Sequence, residues 1–514
     1  MKISALSYLL DNEAPFSKML NKKLDDFNVS QKAIKEGGIG SGGMGYNTNK
    51  QKEIFYLIAT FRKWFALPKI ERTQLLVQSS GIFDFQNFLD EVADGRSPQV
   101  RHVLLHLLFP EYYEPIISGS QKRRITRVFH TFHSREQAEQ EWANDAPLNT
   151  VDQEIKVISN NIEILRNTPT NFYEKELRSF WDSPTESTFP NLDTELLEYK
   201  KQVVLYGPPG TSKTYSAKAL AEEIIRYRMA KDKGTEILKK SGQSQLELAL
   251  KENIHRLQLH PAFSYEDFIR GLQFHDGETV YKDGYLLRLL KSMSKDRDLP
   301  HVLILDEINR VDLSRLFGEC FSAIENRGEA IDLLGANDSS TEQLLIPDNL
   351  YIIGTMNLID HSIEQLDFAL RRRFLWVEAT YNADALLQIL ESKWEELEWE
   401  GNHFPWQLVE DDFNLLIDAA NNLNRTIANE PELGEDFVLG HVFFLDVISF
   451  LHHFLQSYSR KPSTFLFTAK GAWRDPVAKL WHLSLQPLVK EYLSGLDNKT
   501  QETIMKKLSE AFKP

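Results

Sequence analysis

The sequence predicts an α/β core, with a parallel sheet flanked by helices, between a mainly α-helical N-terminal unit and an α-helical C-terminal unit. Short apolar strands at 203–206, 301–307 and 350–357 alternate with helical patterns, an alternation that favours a parallel sheet. The 514 residues are 42% hydrophobic and 26% charged, a composition typical of a globular chain with about three domains of ~150 residues each.

Changes in residue pattern divide the chain into four predicted segments. Apolar residues recur at helical spacing in 54–67 and 100–109 and again throughout the C-terminal region. The segments are a mainly helical accessory or recognition domain (1–134), an ordered connector with aromatic anchors (135–195), the α/β core (196–380) and a helical lid (381–514).

The glycine-rich stretch at 37–49 is predicted to be a flexible loop. Gly38, Gly40 and Gly43 fit the pattern G-x-G-x-x-G, but the residues before them are polar and form no strand. A dinucleotide-binding turn requires a strand at that place, so the pattern does not predict such a site.

Composition excludes several classes of protein. The single cysteine, Cys320, excludes an intrachain disulfide and a cysteine-based zinc cage. We find no apolar run near the roughly 18–20 residues of a membrane span and no convincing signal peptide, so we expect a cytoplasmic protein without membrane contact. Residues 1–134 carry 18 basic and 13 acidic side chains, a balance of +5, so the rest must carry −20 to reach the total of −15. Contact of the N-terminal part with nucleic acid is therefore an open alternative.

The first strand of the core is followed by a glycine-rich turn and an amphipathic helix. Such a turn aims backbone N–H groups at one point, which suits a triphosphate. Lys213 would neutralise the β- and γ-phosphates, and Thr214 would offer its hydroxyl to Mg²⁺. Ser212 stands where the P-loop pattern expects glycine, at little cost if its backbone is near the right-handed helical region. The predicted nucleotide-binding residues are Gly207, Pro208, Pro209, Gly210, Thr211, Ser212, Lys213, Thr214 and Tyr215.

A second motif ends the strand at 301–307. Asp306 lies 93 residues after Lys213 and is followed by Glu307. At the end of a buried strand, Asp306 can hold Mg²⁺ through water, and Glu307 can activate the attacking water as general base.

Two further motifs complete the predicted site. Asn357 ends the next strand, where its amide can align the hydrolytic water; the alternative is a helix-capping role. Arg371, Arg372 and Arg373 end a short helix. Arg371 or Arg372 could reach a γ-phosphate in a neighbouring subunit, or all three could be a solvated helix end.

Several stretches together resemble the AAA+ module of the McrB-like family. They are DEINRVDLSRLFGECFSAIE (306–325), GTMNLIDHSIEQLDFALRRRF (354–374), HPAFSYEDFIRGL (260–272), GHVFF (440–444) and LWHLSLQPLVKEYLSG (480–495). The resemblance covers roughly 196–514 and implies an AAA+ P-loop NTPase with a C-terminal helical lid.

The resemblance also implies roles and partners. Asn357 and Asp360 match the family signature MN-x-x-D-R and are expected to support hydrolysis, whereas His361 replaces the arginine. The family implies a ring, usually a hexamer, and stimulation by an McrC-like nuclease subunit. ATP and GTP both remain possible substrates, with Mg²⁺ as cofactor.

The N-terminal unit shows no convincing match to the family's DNA-reading domain. Lys122, Arg123, Arg124 and Arg127 lie near Tyr112, Tyr113 and Phe129, which permits phosphate contact and base stacking, or a solvated helix face over a core.

Three functions remain open. The first is a Mg²⁺-dependent AAA+ motor of a McrBC-like restriction or anti-phage system. The second is a protein-remodelling ATPase of the MoxR type, and the third is a nucleotide-gated binding module with weak hydrolysis. No nuclease pattern stands out, so any DNA cleavage is expected in a partner.

Overall fold

The structure is a computed structural model that describes most of the chain. The described residues are 43–76, 81–92, 98–130, 148–182, 192, 194–275, 278–294, 298–333, 343–359, 368–399, 404–457 and 464–514. Among them, no helix is both long enough and apolar enough to cross a membrane.

The chain forms two compact units that do not follow the order of the sequence. One unit combines 1–183 with 226–247, and the other combines 184–225 with 248–514. The four-segment division by sequence pattern stays a prediction.

The first unit is helical. Its described helices are α1 (Gly43–Ala66), α2 (Lys69–Leu75), α3 (Gly81–Val92), α4 (Gln99–Leu108), α5 (Gly119–Phe129), α6 (Leu148–Arg166) and α7 (Lys175–Trp181). The helices predicted at 54–67 and 100–109 are confirmed. The loop predicted at 37–49 is wrong for its second half, because α1 begins at Gly43; residues 37–42 lie outside the described part.

Aromatic side chains form the cores of this unit. Trp64 of α1 makes edge contacts with Phe85 and Phe88 of α3. Phe129 of α5 packs edge-on against Phe180 of α7, and both are buried. Phe180 of the predicted connector is therefore a core residue.

The predicted basic cluster near α5 is not a single solvated face. Lys122 is 1% exposed, and its ammonium group lies 2.6 Å from Asp152 and 2.9 Å from Nδ1 of His102. Burial lowers the pKa of Lys122, and Asp152 opposes that shift. The prediction of Lys122 as a phosphate-contacting or solvated residue is wrong, because its charge neutralises a buried carboxylate. Tyr113 and Phe129 are also buried, whereas Arg123 is exposed.

The second unit is built on a five-stranded parallel sheet, which confirms the predicted α/β fold class. Its strand order is β2-β5-β8-β1-β9. The strands are β1 (Gln202–Gly207), β2 (Ile254–Gln258), β5 (His301–Asp306), β8 (Leu350–Asn357) and β9 (Leu375–Glu378). The three strands predicted from the sequence are the three central ones and are almost fully buried, whereas β2 and β9 are edge strands with partly exposed residues.

Short hairpins and helices connect the strands. The hairpins pair β3 (Arg270–His275) with β4 (Glu278–Asp283) and β6 (Ile331–Asp332) with β7 (Gln343–Leu344). The helices are α8 (Thr194–Lys200), α9 (Lys213–Lys233), α10 (Lys240–Glu252), α11 (Tyr265–Phe268), α12 (Tyr285–Met293), α13 (Leu313–Phe317), α14 (Cys320–Glu325) and α15 (Phe368–Arg373). The end of α9 from 226 onwards and α10 up to 247 belong to the first unit.

The C-terminal lid is helical, as predicted. Its helices are α16 (Ala383–Glu395), α17 (Glu410–Ala428), α18 (Asp446–Ser457), α19 (Asp475–Lys479), α20 (Gln486–Tyr492) and α21 (Asn498–Ala511). A π-helical turn, Leu480–Leu485, precedes α20, whose first turn contains a proline that cannot donate a backbone hydrogen bond. Asp412 on α17 is buried and accepts the backbone N–H groups of Phe465 and Leu466, which ties the segment after α18 to α17.

We expect Lys122→Met to destabilise the protein strongly. The substitution leaves Asp152 buried without its cationic partner, a change that costs about 3–5 kcal/mol. Thermal or urea unfolding measures the loss, and Arg123→Met on the exposed face of the same helix serves as control. The double variant Lys122→Met/Asp152→Leu is expected to recover most of the loss; an unchanged midpoint in Lys122→Met would contradict the assignment.

Candidate functional site

The P-loop follows β1 at the carboxyl edge of the sheet, and two of its glycines are sterically required. Gly207 has φ +148°, and a Cβ there would lie 2.3 Å from the carbonyl oxygen of Ala379. Gly210 has φ +75°, and a Cβ there would lie 2.5 Å from the ring of Phe443. The turn can therefore keep this shape only with glycine at both positions.

Lys213 folds back over the loop that it follows. Its ammonium group donates to the carbonyl oxygens of Gly207 at 3.0 Å and Pro208 at 2.5 Å, and it lies 3.2 Å from the hydroxyl of Thr211. The side chain is 7% exposed, and burial lowers the pKa of Lys213 to about 8. The lysine is thus held at the centre of the turn, where a phosphate chain would meet it.

Ser212 departs from the expected backbone conformation. Its φ is +58°, in the left-handed region and not in the right-handed region in which serine would cost little. A non-glycine residue in that region costs roughly 1–2 kcal/mol. The substitution of serine for the pattern's glycine is therefore not neutral, and the structure must compensate for it.

A segment of the lid lies directly on the P-loop. Gly440 donates its N–H to the carbonyl of Pro209 at 3.2 Å, and Val442 donates to the carbonyl of Gly210 at 2.9 Å. A Cβ at Gly440 would lie 2.0 Å from the backbone of Gly210, so the two chains are in direct contact. These bonds fix the lid segment against the phosphate-binding turn.

His441 is the lid side chain that reaches Ser212. The imidazole is 2% exposed, and its Nε2 shares a hydrogen bond of 2.9 Å with the Ser212 hydroxyl. Burial, with a smaller contribution from the nearby charge of Lys213, lowers the pKa of His441 to about 4, so the ring is neutral at physiological pH. The bond gives Ser212 a partner that glycine would not have.

Asp306 is the point at which four elements meet. It is 3% exposed and ends β5. Its Oδ1 accepts from Thr214 of α9 at 3.0 Å and from Thr355 of β8, and its Oδ2 accepts from Nε and Nη2 of Arg256 on β2 at 3.0 and 2.5 Å. The Thr214–Asp306 pair predicted to hold Mg²⁺ is therefore brought together.

Glu307 lies beside it in a strained conformation. Its backbone is left-handed, with φ 59° and ψ 49°, and its N–H donates to Thr355 at 3.2 Å. Its carboxylate lies 2.8 Å from Nε of Arg310 and 3.4 Å from Nε2 of Gln258. Such outliers concentrate at functional sites. The predicted base is thus held at the strand end by cationic and amide partners.

Asn357 reaches the same site from β8, where it pairs with Gly207 of β1 in the sheet register. The backbone carbonyl of Asn357 accepts a hydrogen bond of 3.0 Å from the side-chain amide of Asn309. A cavity of about 250 Å³ joins the motifs, and its lining includes Lys213, Glu307 and Asn357. This volume is below the roughly 300–1,000 Å³ of a typical ligand pocket.

The full lining shows which predicted residues are brought together. It consists of Gly210, Thr211, Ser212, Lys213, Thr214, Tyr215, Asp306, Glu307, Thr355, Met356, Asn357 and Val442. A larger cavity of about 610 Å³ lies in the lid near Trp473 and Trp481, but its described lining contains none of the predicted site residues.

The donor set fits a magnesium ion that arrives with its nucleotide. In the described part of the chain, no group of three or more His, Cys, Asp or Glu side chains could hold a metal by itself. Mg²⁺ is commonly held by one or two carboxylates together with phosphates and water. One hydroxyl and one carboxylate, Thr214 and Asp306, meet that description.

The predicted arginines end α15, outside the described lining of the cavity. Arg373 is 10% exposed, lies 3.0 Å from Glu325 and covers the ring of Phe321. Arg372 is 65% exposed and lies 3.3 Å from the same carboxylate, and Arg371 lies over Trp376. Arg373 is thus anchored in its own chain, whereas Arg371 and Arg372 are exposed.

No local pattern predicted the contacts of Arg256, Gln258, Thr355 and His441 in the site. The polar residues at the end of β2 and the histidine of GHVFF are visible in the sequence. They lie far along the chain from the other site residues, so no local pattern shows that they are close to them in space. Asp360 and His361 lie outside the described residues, so their roles stay predictions.

Comparisons with known proteins identify the nucleotide-binding part. Residues 202–374 match the AAA domain family, dynein-related subfamily. The chain is 31% identical over 254 residues to the type IV methyl-directed restriction enzyme EcoKMcrB subunit of Escherichia coli, covering 48% of each chain. It is 31% identical over 98 residues to the type II restriction enzyme BsuMI component YdiS of Bacillus subtilis, covering 17% of this chain and 28% of that one.

A third relative is the ATPase family gene 2 protein of Schizosaccharomyces pombe, 36% identical over 115 residues, covering 22% of this chain and 14% of that one. The chain therefore spans about half the length of the McrB subunit and less of the other two. These findings confirm the resemblance to McrB-like AAA+ proteins and the AAA+ fold of the core.

We expect the Ser212–His441 hydrogen bond to offset the strained backbone of Ser212. His441→Ala should lower the unfolding midpoint more in the native sequence than in a Ser212→Gly background, with a coupling of about 1 kcal/mol. Thermal unfolding of the native protein, both single variants and the double variant measures that coupling. Equal losses in the two backgrounds would show that the bond does not stabilise Ser212.

Proposed function

We propose that this chain is an AAA+ protein of the McrB type and a Mg²⁺-dependent nucleoside triphosphatase that hydrolyses ATP or GTP; the match of 202–374 to the AAA domain family and the similarity to the McrB subunit support this proposal. We further propose that it is the ring-forming motor subunit of a McrBC-like DNA restriction system in the cytoplasm. Hydrolysis depends on the chemistry of the described site, whereas the restriction system is the biological process that this hydrolysis would drive.

One observation carries the enzymatic proposal. Lys213, Thr214, Asp306, Glu307 and Asn357 come from separate stretches of the chain, yet all line the same cavity at the carboxyl edge of the sheet. Ligands of open parallel sheets bind at that edge. Each residue carries the functional group that phosphoryl transfer needs there.

Binding of the triphosphate is assigned to the P-loop. Lys213 exchanges the carbonyls of Gly207 and Pro208 for phosphate oxygens, and the N-terminus of the 21-residue helix α9 favours negative charge at the same point. Burial lowers the pKa of Lys213 to about 8 in the described state. An arriving phosphate favours the protonated form of Lys213, because the phosphate is negatively charged. Tyr215, 75% exposed, lies at the mouth of the site.

Thr214 and Asp306 are the residues that would hold the metal, through the threonine hydroxyl and the buried carboxylate. When bound, Mg²⁺ supplies neutralisation of charge on the β- and γ-phosphates. Thr355 fixes the orientation of the Asp306 carboxylate by donating to its Oδ1.

Glu307 takes the proton of the attacking water as general base. Its ion pair with Arg310 holds the carboxylate at the end of the strand. Asn357 and Asp360 are assigned to positioning the water and supporting hydrolysis. The hydrogen bond from Asn309 supports this role for Asn357 because it fixes the backbone from which the amide projects.

Arg371 and Arg372 are assigned to a neighbouring subunit's γ-phosphate. The exposure of Arg372 and the absence of both residues from the described cavity lining support an action between subunits, and hence a ring. Arg373 is 10% exposed and covers the ring of Phe321, so it is not assigned this role.

The restriction proposal rests on the relatives. Two of them are named as components of restriction enzymes. The described site contains groups for NTP hydrolysis, so cleavage of DNA is assigned to an McrC-like nuclease partner. Contact of the N-terminal unit with DNA belongs to the same proposal.

We expect Glu307→Gln to retain nucleotide binding and to lose hydrolysis by at least about 100-fold, the usual lower bound for removal of a general base. Lys213→Ala is expected to lose binding as well. Phosphate release and equilibrium binding measure the two effects with ATP and with GTP. Full hydrolysis in Glu307→Gln would contradict the assignment of the base.

The same phosphate-release assay separates the biological roles. Stimulation by DNA or by the nuclease partner supports the restriction motor, whereas stimulation by protein substrates alone supports a MoxR-type remodeller. Binding without turnover under all these conditions supports a nucleotide-gated module.

We expect two inactive variants to complement each other if the arginines act between subunits. Arg372→Ala lacks the arginine that it gives to its neighbour, whereas Glu307→Gln still provides one. Mixing the two should restore part of the hydrolysis that each lacks alone, measured as phosphate release after subunit exchange. Arg315→Ala, at a side chain 88% exposed on α13, is the control. Activity that stays at the sum of the two single variants would contradict action in trans.

A further inference from the structure

Arg256 occupies one side of the carboxylate that is proposed to hold magnesium. It lies on the edge strand β2, two residues before Gln258, which pairs with Asp306 in the sheet register. Its Nε and Nη2 lie 3.0 and 2.5 Å from Oδ2 of Asp306. The guanidinium group is therefore bound to a carboxylate that is itself 3% exposed.

The remaining oxygen of Asp306 is also engaged. Thr214 and Thr355 both donate to Oδ1. The two oxygens thus have different partners: hydroxyl groups on one side and a permanent positive charge on the other.

A guanidinium and a divalent cation oppose each other at one carboxylate. Both are attracted by the same negative charge, and they repel each other at short range in a partly buried site, where water screens weakly. Arg256 has room to leave, because its side chain is 57% exposed whereas that of Asp306 is 4% exposed. Its exchange with a metal requires no movement of the sheet.

We propose that Arg256 competes with Mg²⁺ for Asp306 and thereby sets the magnesium concentration that nucleotide binding requires. This inference rests on the proposed function of Thr214 and Asp306 as the metal site. Arg256 acts as a positioning residue: without metal it holds the carboxylate in place, and it withdraws towards solvent when magnesium and nucleotide bind together.

The competition has a second consequence. With the metal removed, the positive charge of Arg256 remains near the phosphates and favours a bare polyphosphate, which carries more negative charge than its magnesium complex. Loss of the charge should therefore strengthen magnesium-dependent binding and weaken magnesium-free binding. A purely structural ion pair would change both in the same direction.

The test uses Arg256→Gln, which removes the charge and keeps an amide donor, and Arg256→Lys, which keeps the charge. Arg425→Gln, an exposed arginine on lid helix α17, is the matched control. Binding of a fluorescent diphosphate and of a fluorescent non-hydrolysable triphosphate is titrated with MgCl₂ and repeated in EDTA, in adenine and guanine forms.

Arg256→Gln is expected to lower the magnesium concentration at half-saturation fivefold or more, within the roughly 5–150-fold range of coupled binding sites, and to weaken binding in EDTA. Arg256→Lys and Arg425→Gln are expected to stay near the native value. Thermal unfolding of each variant identifies any loss of folding.

Three outcomes would overturn the inference. An unchanged magnesium midpoint would show that Arg256 does not compete, and a raised midpoint would show that it supports the metal. Selective loss of triphosphate binding at an unchanged midpoint would make Arg256 a phosphate ligand. If even the native protein binds no nucleotide, the proposed function itself fails, which is a distinguishable result.

Discussion

The carboxylate of Asp306 is the interaction on which the candidate site depends. It is buried at the end of a central strand and accepts hydrogen bonds from Thr214, Thr355 and Arg256, which belong to three other elements. A buried carboxylate requires such partners, because an uncompensated charge in the interior is costly. One side chain therefore fixes the P-loop helix, the neighbouring strand and the edge strand relative to one another.

The lid gives the P-loop a second set of constraints. The backbone of Gly440 and Val442 satisfies two carbonyls of the turn, and His441 bonds to Ser212, whose left-handed conformation would otherwise be unsupported. A change in the position of this lid segment must therefore alter the phosphate-binding turn, and the reverse holds as well.

The N-terminal unit shows how charge can be misread. Lys122 belongs to a run of basic residues in the sequence, yet it is buried against Asp152 and the neutral ring of His102, whose pKa is lowered well below its usual value by burial and nearby cations. The charge of Lys122 neutralises the buried carboxylate of Asp152, and only part of the basic run lies at the surface. Net charge along a segment does not say which side chains face solvent.

The sequence by itself determined the central strands and the helical lid, because buried strands are continuously apolar. It also predicted that Lys213, Thr214, Asp306 and Glu307 meet at one edge of the sheet, because phosphate-binding turns have a fixed local spacing. Tertiary structure alone decided the contact of Arg256 with Asp306, the partners of Glu307 and the contact between His441 and Ser212. Strand order and lid packing join residues such as Ser212 and His441 across 229 positions, and no local pattern records that pairing. The tertiary structure also decided the left-handed backbone of Ser212, because neighbouring elements, rather than the conformational preference of serine, impose that conformation.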